Sequence, residues 1–187
     1  MAADTGEDAR VARTRADVAR AALGVLTSEG SDAVTHARVA EVAGYSKTTL
    51  YAHWPARLDL MVLALDAIGD LPHFERSGDL RTDLIGELQI FRQAVDEYRL
   101  DRVLSGMAQW ASADEMRQIR DTINGEGQRP LREMLEGRFA VGPELEAAIS
   151  MLSGVVACPS VMFGNRPDDD TSAAAVGLMV GRGGDRT

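Results

Sequence analysis

The sequence has one cysteine, Cys158, and therefore cannot form a disulfide within the chain. Histidine is nearly as scarce, and occurs only as His36, His53 and His73. No HExxH, Glu-x-x-His, CxxC or phosphate-loop motif occurs in the 187 residues. Because these motifs carry common metal, redox and phosphate chemistries, we expect that the chain is not an enzyme and holds no cofactor or metal.

Long apolar segments are also missing. The longest run, Ile149–Phe163, is interrupted by Gly154 and Pro159 and is too short to span a bilayer, so we expect it inside protein. The opening MAADTGEDAR lacks the charged and apolar regions of a signal peptide. We therefore expect a cytoplasmic protein without a membrane segment, in which Cys158 is a small buried hydrophobe.

The chain has no excess of positive charge, since its formal net charge is −9. This balance argues against a nonspecific nucleic-acid binder. Residues 1–60 hold seven basic and eight acidic side chains, whereas residues 61–187 hold thirteen and twenty-one, so the acidity lies mainly in the later part. Near the start, Arg10, Arg13 and Arg15 could form an arm along a nucleic-acid backbone or the solvated face of a first helix.

Lysine occurs once, as Lys47, and every other basic residue is arginine. Lys47 lies within the segment THARVAEVAGYSKTTLYAHW. In this segment Thr35 can cap a first helix, Gly44 can end it in the left-handed conformation, and Ser46 can cap a second helix. The pattern predicts a helix-turn-helix. The first helix is expected from His36 to Val42 or Ala43, and the second from Lys47 to about His53.

The second of these helices carries polar side chains on its outer face. Leu50 packs toward the first helix, whereas the outward positions carry hydroxyl, phenol and ammonium groups that can reach base edges and phosphates. The outward residues are Lys47, Thr48, Thr49 and Tyr51. None of them is acidic, so the pattern favours a DNA contact.

With AALGVLTSEG before it and PARLDLM after it, this segment resembles the amino-terminal domain of the tetracycline-repressor (TetR) family of transcriptional regulators. The resemblance covers about residues 13–66, and its most specific part is LY-x-H-aromatic followed by a basic residue. It implies an all-α fold with a three-helix, helix-turn-helix DNA-binding domain and connecting helix at 1–70. It also implies a helical ligand-binding and dimerisation domain at 71–187.

The resemblance further implies which side chains contact DNA. The residues expected nearest the bases are Arg38, Lys47, Thr48 and Thr49. The residues expected on the phosphate backbone are Thr35, Tyr51, His53 and Arg57. For Tyr51 and His53, packing and capping within the small domain is the open alternative.

Beyond residue 70 the pattern is that of further helices. We expect Gly125, Gly127 and Pro130 to kink or divide the third of them. Thr171 or Ser172 is expected to cap the last one, and the tail GRGGDRT is expected to fray. The predicted helices are 80–98, 102–111, 114 to about 139, 143 or 144 to about 163, and a final one that ends at 180.

The last two predicted helices are apolar on more than one face, which a lone helical protein of this size cannot readily bury. We therefore expect a partner to cover the exposed apolar faces of these two helices. The resemblance implies that the partner is a second copy of the chain, and that the homodimer binds an inverted-repeat operator in double-stranded DNA. It also implies repression as the default activity.

The resemblance finally implies a small-molecule effector in the second domain. Large, soft or flat side chains could line its pocket, although most of them are expected to be ordinary core residues. The candidates are Phe91, Met107, Trp110, Met116, Met134 and Phe139. The alternative function is a DNA-binding regulator that has no small-molecule effector and acts through a protein partner.

Overall fold

The structure is a computed structural model that describes residues 4–181. Within this range the chain is helical, with a 3₁₀ turn at Ser31–Ala33 and no strand, which confirms the predicted all-α class. The α-helices are α1 (Asp4–Glu29), α2 (His36–Ala43), α3 (Lys47–His53), α4 (Arg57–Asp66), α5 (Leu80–Glu97), α6 (Leu100–Gln109), α7 (Asp114–Leu135), α8 (Pro143–Phe163) and α9 (Asp169–Val180). Most of the tail that was expected to fray, residues 182–187, lies outside the described residues.

The chain divides into two compact units. The first consists of Met1–Asp70 together with Arg102–Asp121, and the second of Leu71–Asp101 together with Thr122–Thr187. One division therefore falls between residues 70 and 71. The others fall within α6 and α7, so each of these helices contributes residues to both units.

In the first unit, α1 packs against α2 and α4, and α2 packs against α3. Apolar residues at helical spacing supply much of its core. Fully buried members are Val18, Ala22, Val25, Leu26, Val39, Leu50, Leu60 and Met61. The short helices α2 and α3 thus gain their stability from α1 and α4, because isolated helices of 8 and 7 residues are too short to persist in water.

In the second unit, α5 packs against α8 and α9, which also contact each other. The segment that precedes α5 is fastened to it by buried carboxylates. Asp83 accepts the backbone N–H groups of Ser77 at 2.7 Å and Gly78 at 3.1 Å, and Glu87 accepts that of Phe74 at 2.9 Å. Hydrogen bonds from Ser77 are the main cause that lowers the pKa of Asp83.

Helix α7 differs from its prediction because it is continuous from Asp114 to Leu135, with Pro130 inside it. Proline removes one backbone hydrogen bond and crowds the preceding turn, which led to the expectation of a kink or division. Leu131 and Leu135 are buried directly after it, and their packing offsets the lost bond. The expected division of this helix is therefore wrong.

The start of α9 also differs. Its cap is Asp168, whose carboxylate accepts the backbone N–H of Thr171 at 2.7 Å, rather than Thr171 or Ser172. Asp169 and Asp170 then occupy the first helical turn, where the helix dipole favours acidic side chains.

Helix α8 corrects two expectations about the apolar run. Gly154 and Pro159 do not interrupt it, and its 21 residues are long and apolar enough to cross a membrane by length and composition alone, a test that core helices of soluble proteins also pass. Cys158 is exposed rather than buried, and Phe163 is 70% exposed. The run is therefore not enclosed within this chain, because α5 and α9 cover only part of the helix.

Candidate nucleic-acid interface

The turn between α2 and α3 is built by the residues that the sequence indicated. Thr35 caps α2 by accepting the backbone N–H of Arg38 at 3.3 Å. Gly44 ends α2 with φ 75° and ψ 26°, in the left-handed region that favours glycine. Ser46 then caps α3 by accepting the backbone N–H of Thr49 at 3.0 Å. Local capping therefore fixes the angle at which α3 leaves the turn.

Helix α3 buries one side chain and presents its others outward. Leu50 is fully buried against the core, whereas Lys47 and Thr48 are exposed. Thr49 is half-buried, and its hydroxyl lies 2.8 Å from that of Ser46. Two of the predicted base-contacting side chains, Lys47 and Thr48, are thus adjacent and accessible at the start of one helix.

Tyr51 packs within the small domain, which is one of the two roles that the sequence left open. Its ring stacks on that of His36, with centroids 3.9 Å apart and planes 11° from parallel, yet the residue stays exposed. His36 is buried, and its Nε2 lies 2.6 Å from the carbonyl oxygen of Trp54. Since a carbonyl only accepts, Nε2 carries the proton and donates it. Packing against His36 therefore fixes the Tyr51 ring, and a DNA contact by Tyr51 stays a prediction.

His53 lies at the end of α3 and is exposed. Its ring contacts that of Trp54, with centroids 5.4 Å apart and planes 47° from parallel. This tilted contact orients the imidazole without covering it. A phosphate contact by His53 stays a prediction.

Arg57 has a structural role that the sequence did not indicate. Its guanidinium donates to the carbonyl oxygens of Ser31 at 2.5 Å and Val34 at 3.0 Å, and lies 3.5 Å from the carboxylate of Asp32. The same group stands 5.8 Å from the centre of the Trp110 ring. Arg57 therefore ties the start of α4 to the 3₁₀ turn before α2. Because its guanidinium already donates to these carbonyl oxygens, a phosphate contact would have to share the same N–H groups.

Arg38 is engaged even more fully, by two carboxylates. Glu29 accepts its Nε and Nη2 hydrogens at 2.9 and 2.8 Å, and Glu41 lies 2.9 Å from its Nη1. The hydrogen bonds that Arg38 donates to Glu29 and then to Glu41 raise its pKa above the usual value. Arg38 and Glu41 are three residues apart on one helix, and this spacing indicates from the sequence that the two side chains can pair. Glu29 belongs to another helix, and no sequence signal indicated it.

The predicted effector-binding residues are distributed over both units. Met107, Trp110 and Met116 belong to the first unit, whereas Phe91, Met134 and Phe139 belong to the second. Met107 and Met116 are buried, and the other four are half-buried. The indole N–H of Trp110 is buried and has no hydrogen-bond partner.

A groove of about 360 Å³ lies between α1 and α4, and it is open to solvent. Alanines line most of it, together with Arg15, Arg20 and Asp66. None of the predicted effector-binding residues lines this groove. It therefore gives the predicted pocket no support.

The amino-acid sequence of the chain is similar to that of known regulatory proteins. The model of bacterial regulatory proteins of the tetR family matches residues 18–63, which span the helix-turn-helix. A curated protein named DNA-binding transcriptional repressor TetR, from Mycobacteroides abscessus, is 39% identical over 74 residues. That match spans 38% of this chain and only 39% of the length of the relative.

Solved structures match over most of the chain. A crystal structure of the TetR family transcription regulator SCO0332 is 30% identical, with a TM-score of 0.64, and the match covers 89% of this chain and 96% of that one. A tetR-family transcriptional regulator from Streptomyces coelicolor shares the fold at 19% identity, with a TM-score of 0.67 and coverage of 88% and 80%. The chain therefore belongs to the TetR family of bacterial regulatory proteins.

Proposed function

We propose that this chain is a homodimeric transcriptional repressor that reads an inverted-repeat operator through α3 and releases it when a small molecule binds. The observation that carries the proposal is the outer face of α3. Lys47 and Thr48 are exposed beside Tyr51, no acidic residue lies within the helix, and Ser46 and Leu50 fix its orientation. Repression is supported by the name of the curated relative, of which the match covers 39%.

Lys47 is the side chain whose role is easiest to test. An ammonium that donates to a base edge contributes to one sequence more than to others, whereas a phosphate contact contributes to all of them. We expect Lys47→Ala to cost about 1–3 kcal/mol on the preferred duplex and much less on a scrambled duplex. Titration of both duplexes at about 0.15 M salt measures this difference. Equal losses on both would make Lys47 a phosphate contact and weaken the proposed reading role of α3.

The proposed dimer is supported by one exposed face of α8. Residues 151, 155, 158 and 162 recur at helical spacing, and Met151, Cys158 and Met162 among them are exposed. Leu178 of α9 is 89% exposed. Apolar side chains in such number on two adjoining helices are typical of an association surface. A second copy of the chain is the proposed occupant, because two copies related by a two-fold axis match an inverted repeat.

The proposed effector has the least support, because none of the six candidate residues lines the groove between α1 and α4. The proposal of an effector is tested by whether a small molecule releases the protein from its operator. A library of small apolar compounds can be screened for loss of the protein complex with its selected duplex. Compounds that cause release would identify the effector class, whereas release only by a protein from the same cells would support the alternative, a regulator without a small-molecule effector.

A further inference from the structure

One side chain in the turn between α2 and α3 reaches back to α1. Tyr45 is the residue between Gly44, which ends α2, and Ser46, which caps α3. Its hydroxyl donates to a carboxylate oxygen of Asp17 at 3.1 Å, across 28 positions of the sequence. This contact lies next to the helix that is proposed to read DNA, yet the proposed function assigns it no role.

Both partners of this hydrogen bond are held in place. The backbone N–H of Tyr45 donates to the carbonyl oxygen of Ala40 at 3.0 Å, which closes the end of α2. Asp17 is 33% exposed, and its second oxygen lies 3.4 Å from the guanidinium of Arg20, one turn further along α1. A hydroxyl bound to a carboxylate makes a stronger hydrogen bond than two neutral groups do. The bond therefore joins the turn firmly to α1 at the point where α3 begins.

The other contacts of α3 do not make this connection. The hydroxyl of Ser46 accepts the backbone N–H of Thr49, so this cap acts within its own helix. At the far end, the carbonyl oxygen of Trp54 accepts from His36, which belongs to α2. The buried side chain of Leu50 resists separation of α3 from the core, but apolar packing has no preferred direction. A hydrogen bond does have one, so the bond of Tyr45 restricts rotation of α3 about its start.

Rotation at this point would matter most for contacts with bases. Lys47 and Thr48 follow Ser46 directly, so they move with the start of α3. A recognition group keeps its contacts only when it is held within about 0.5 Å of the productive geometry. Contacts with the uniform phosphate backbone carry no sequence information and are formed on every duplex. A loosely held α3 would therefore lose discrimination between sequences before it lost binding as such.

We propose that Asp17 is a positioning residue for DNA recognition. Through its hydrogen bond with Tyr45 it holds the start of α3 in the orientation in which Lys47 and Thr48 face the base edges. This inference rests on the proposed DNA-binding function. Asp17 itself need not touch DNA, because it acts through the turn.

Tyr45→Phe is the cleanest test, because it keeps the aromatic ring and the net charge and removes only the hydroxyl. We expect it to weaken binding to the selected operator on the order of fivefold, the size of one net hydrogen bond. Binding to a scrambled duplex should change much less, so the ratio of the two affinities should fall. Dissociation constants for both duplexes give this ratio. A lower thermal stability with an unchanged ratio would overturn the inference, because the bond would then only stabilise the fold.

Two variants of Asp17 separate the hydrogen bond from the charge. Asp17→Ala removes the acceptor and should lower the affinity ratio as Tyr45→Phe does, whereas Asp17→Asn keeps an oxygen that can accept from Tyr45 and should retain more of the ratio. If Asp17→Asn lowers the ratio as much as Asp17→Ala, the charge matters and the inference is overturned. If Tyr45→Phe lowers the ratio and Asp17→Ala does not, the Tyr45 hydroxyl contacts DNA itself, which also overturns it.

Tyr98→Phe is the matched control, because Tyr98 is 50% exposed and belongs to the second unit. The control should keep the affinity ratio, and a fall equal to that of Tyr45→Phe would overturn the inference. Amide hydrogen exchange of the free protein gives a second readout. Tyr45→Phe should accelerate exchange in α3 more than in α1, since α3 becomes less restrained.

The inference and the proposed function fail in different ways. If the wild-type protein prefers no duplex over a scrambled one, the proposed function fails, and the recognition role of Asp17 fails with it. If the wild-type protein discriminates while Tyr45→Phe and Asp17→Ala both keep its affinity ratio, the proposed function stands and only the positioning role is overturned. Asp17→Ala keeps this test informative if Tyr45→Phe disturbs the turn, because alanine is the residue best suited to the interior of a helix such as α1.

Discussion

Replacement of Arg57 by alanine should destabilise the first unit, whatever its effect on DNA. The change removes hydrogen bonds to the carbonyl oxygens of Ser31 and Val34 and the contact with the Trp110 ring. Hydrogen bonds from a charged donor contribute about 1.5–3 kcal/mol each when water is excluded. Because the Arg57 side chain is 34% exposed, water can partly replace it at these carbonyls. We therefore expect a loss of about 2 kcal/mol in total, below the range of about 3–6 kcal/mol for two such bonds shielded from water.

For a chain of this length, that loss lowers Tm by about 4–8 °C. Thermal unfolding followed by circular dichroism in the absence of DNA measures it. Arg20→Ala is the control, because Arg20 is exposed and makes only a 3.4 Å contact with Asp17. We expect that change to stay within about 0.5 kcal/mol of the wild type. An unchanged Tm for Arg57→Ala, with weaker binding to every duplex, would refute the structural role and leave Arg57 as a phosphate contact.

Three further predictions follow from the structure. Gly44→Ala should destabilise the protein by about 1–2 kcal/mol in urea unfolding, because a φ of 75° is strained for alanine. The methyl group itself has space, so backbone strain is the expected cause, and an unchanged urea midpoint would contradict this. Asp83 has a folded pKa below its unfolded value, so its contribution is present above about pH 4 and is lost as the pH falls through the folded pKa. Asp83→Asn should therefore be less stable than wild type at neutral pH, with a gap that closes in acid, and a gap independent of pH would contradict the assignment. Met162→Arg should shift the protein toward monomer in sedimentation without unfolding it, because Met162 is exposed, and an unchanged mass would remove Met162 from the proposed dimer surface.

The helix-turn-helix could be predicted because its determinants are local. Thr35, Gly44 and Ser46 act on backbone groups within four residues of themselves, and their side-chain chemistry is specific enough to place both helices. The burial of Leu50 followed from helical spacing. Short-range rules therefore position the start of α3, where Lys47 lies.

The engagement of the two arginines could not be predicted in this way. Arg38 meets Glu29 from the preceding helix, and Arg57 meets carbonyl groups more than twenty residues earlier in the chain. Such contacts depend on how helices pack, which the spacing of residue types does not specify. The same holds for Pro130, where burial of the leucines after it outweighs a local rule against helix continuation.

The most direct test of the central claim is selection of binding sites from random duplex DNA by the purified protein, at about 0.15 M salt, where nonspecific contacts are weakened. Lys47→Ala is selected in parallel. We predict that the wild-type protein enriches an inverted repeat and that the variant enriches it weakly or loses preference at one position in each half-site. Enrichment of no sequence by folded wild-type protein would contradict the proposal that α3 reads DNA.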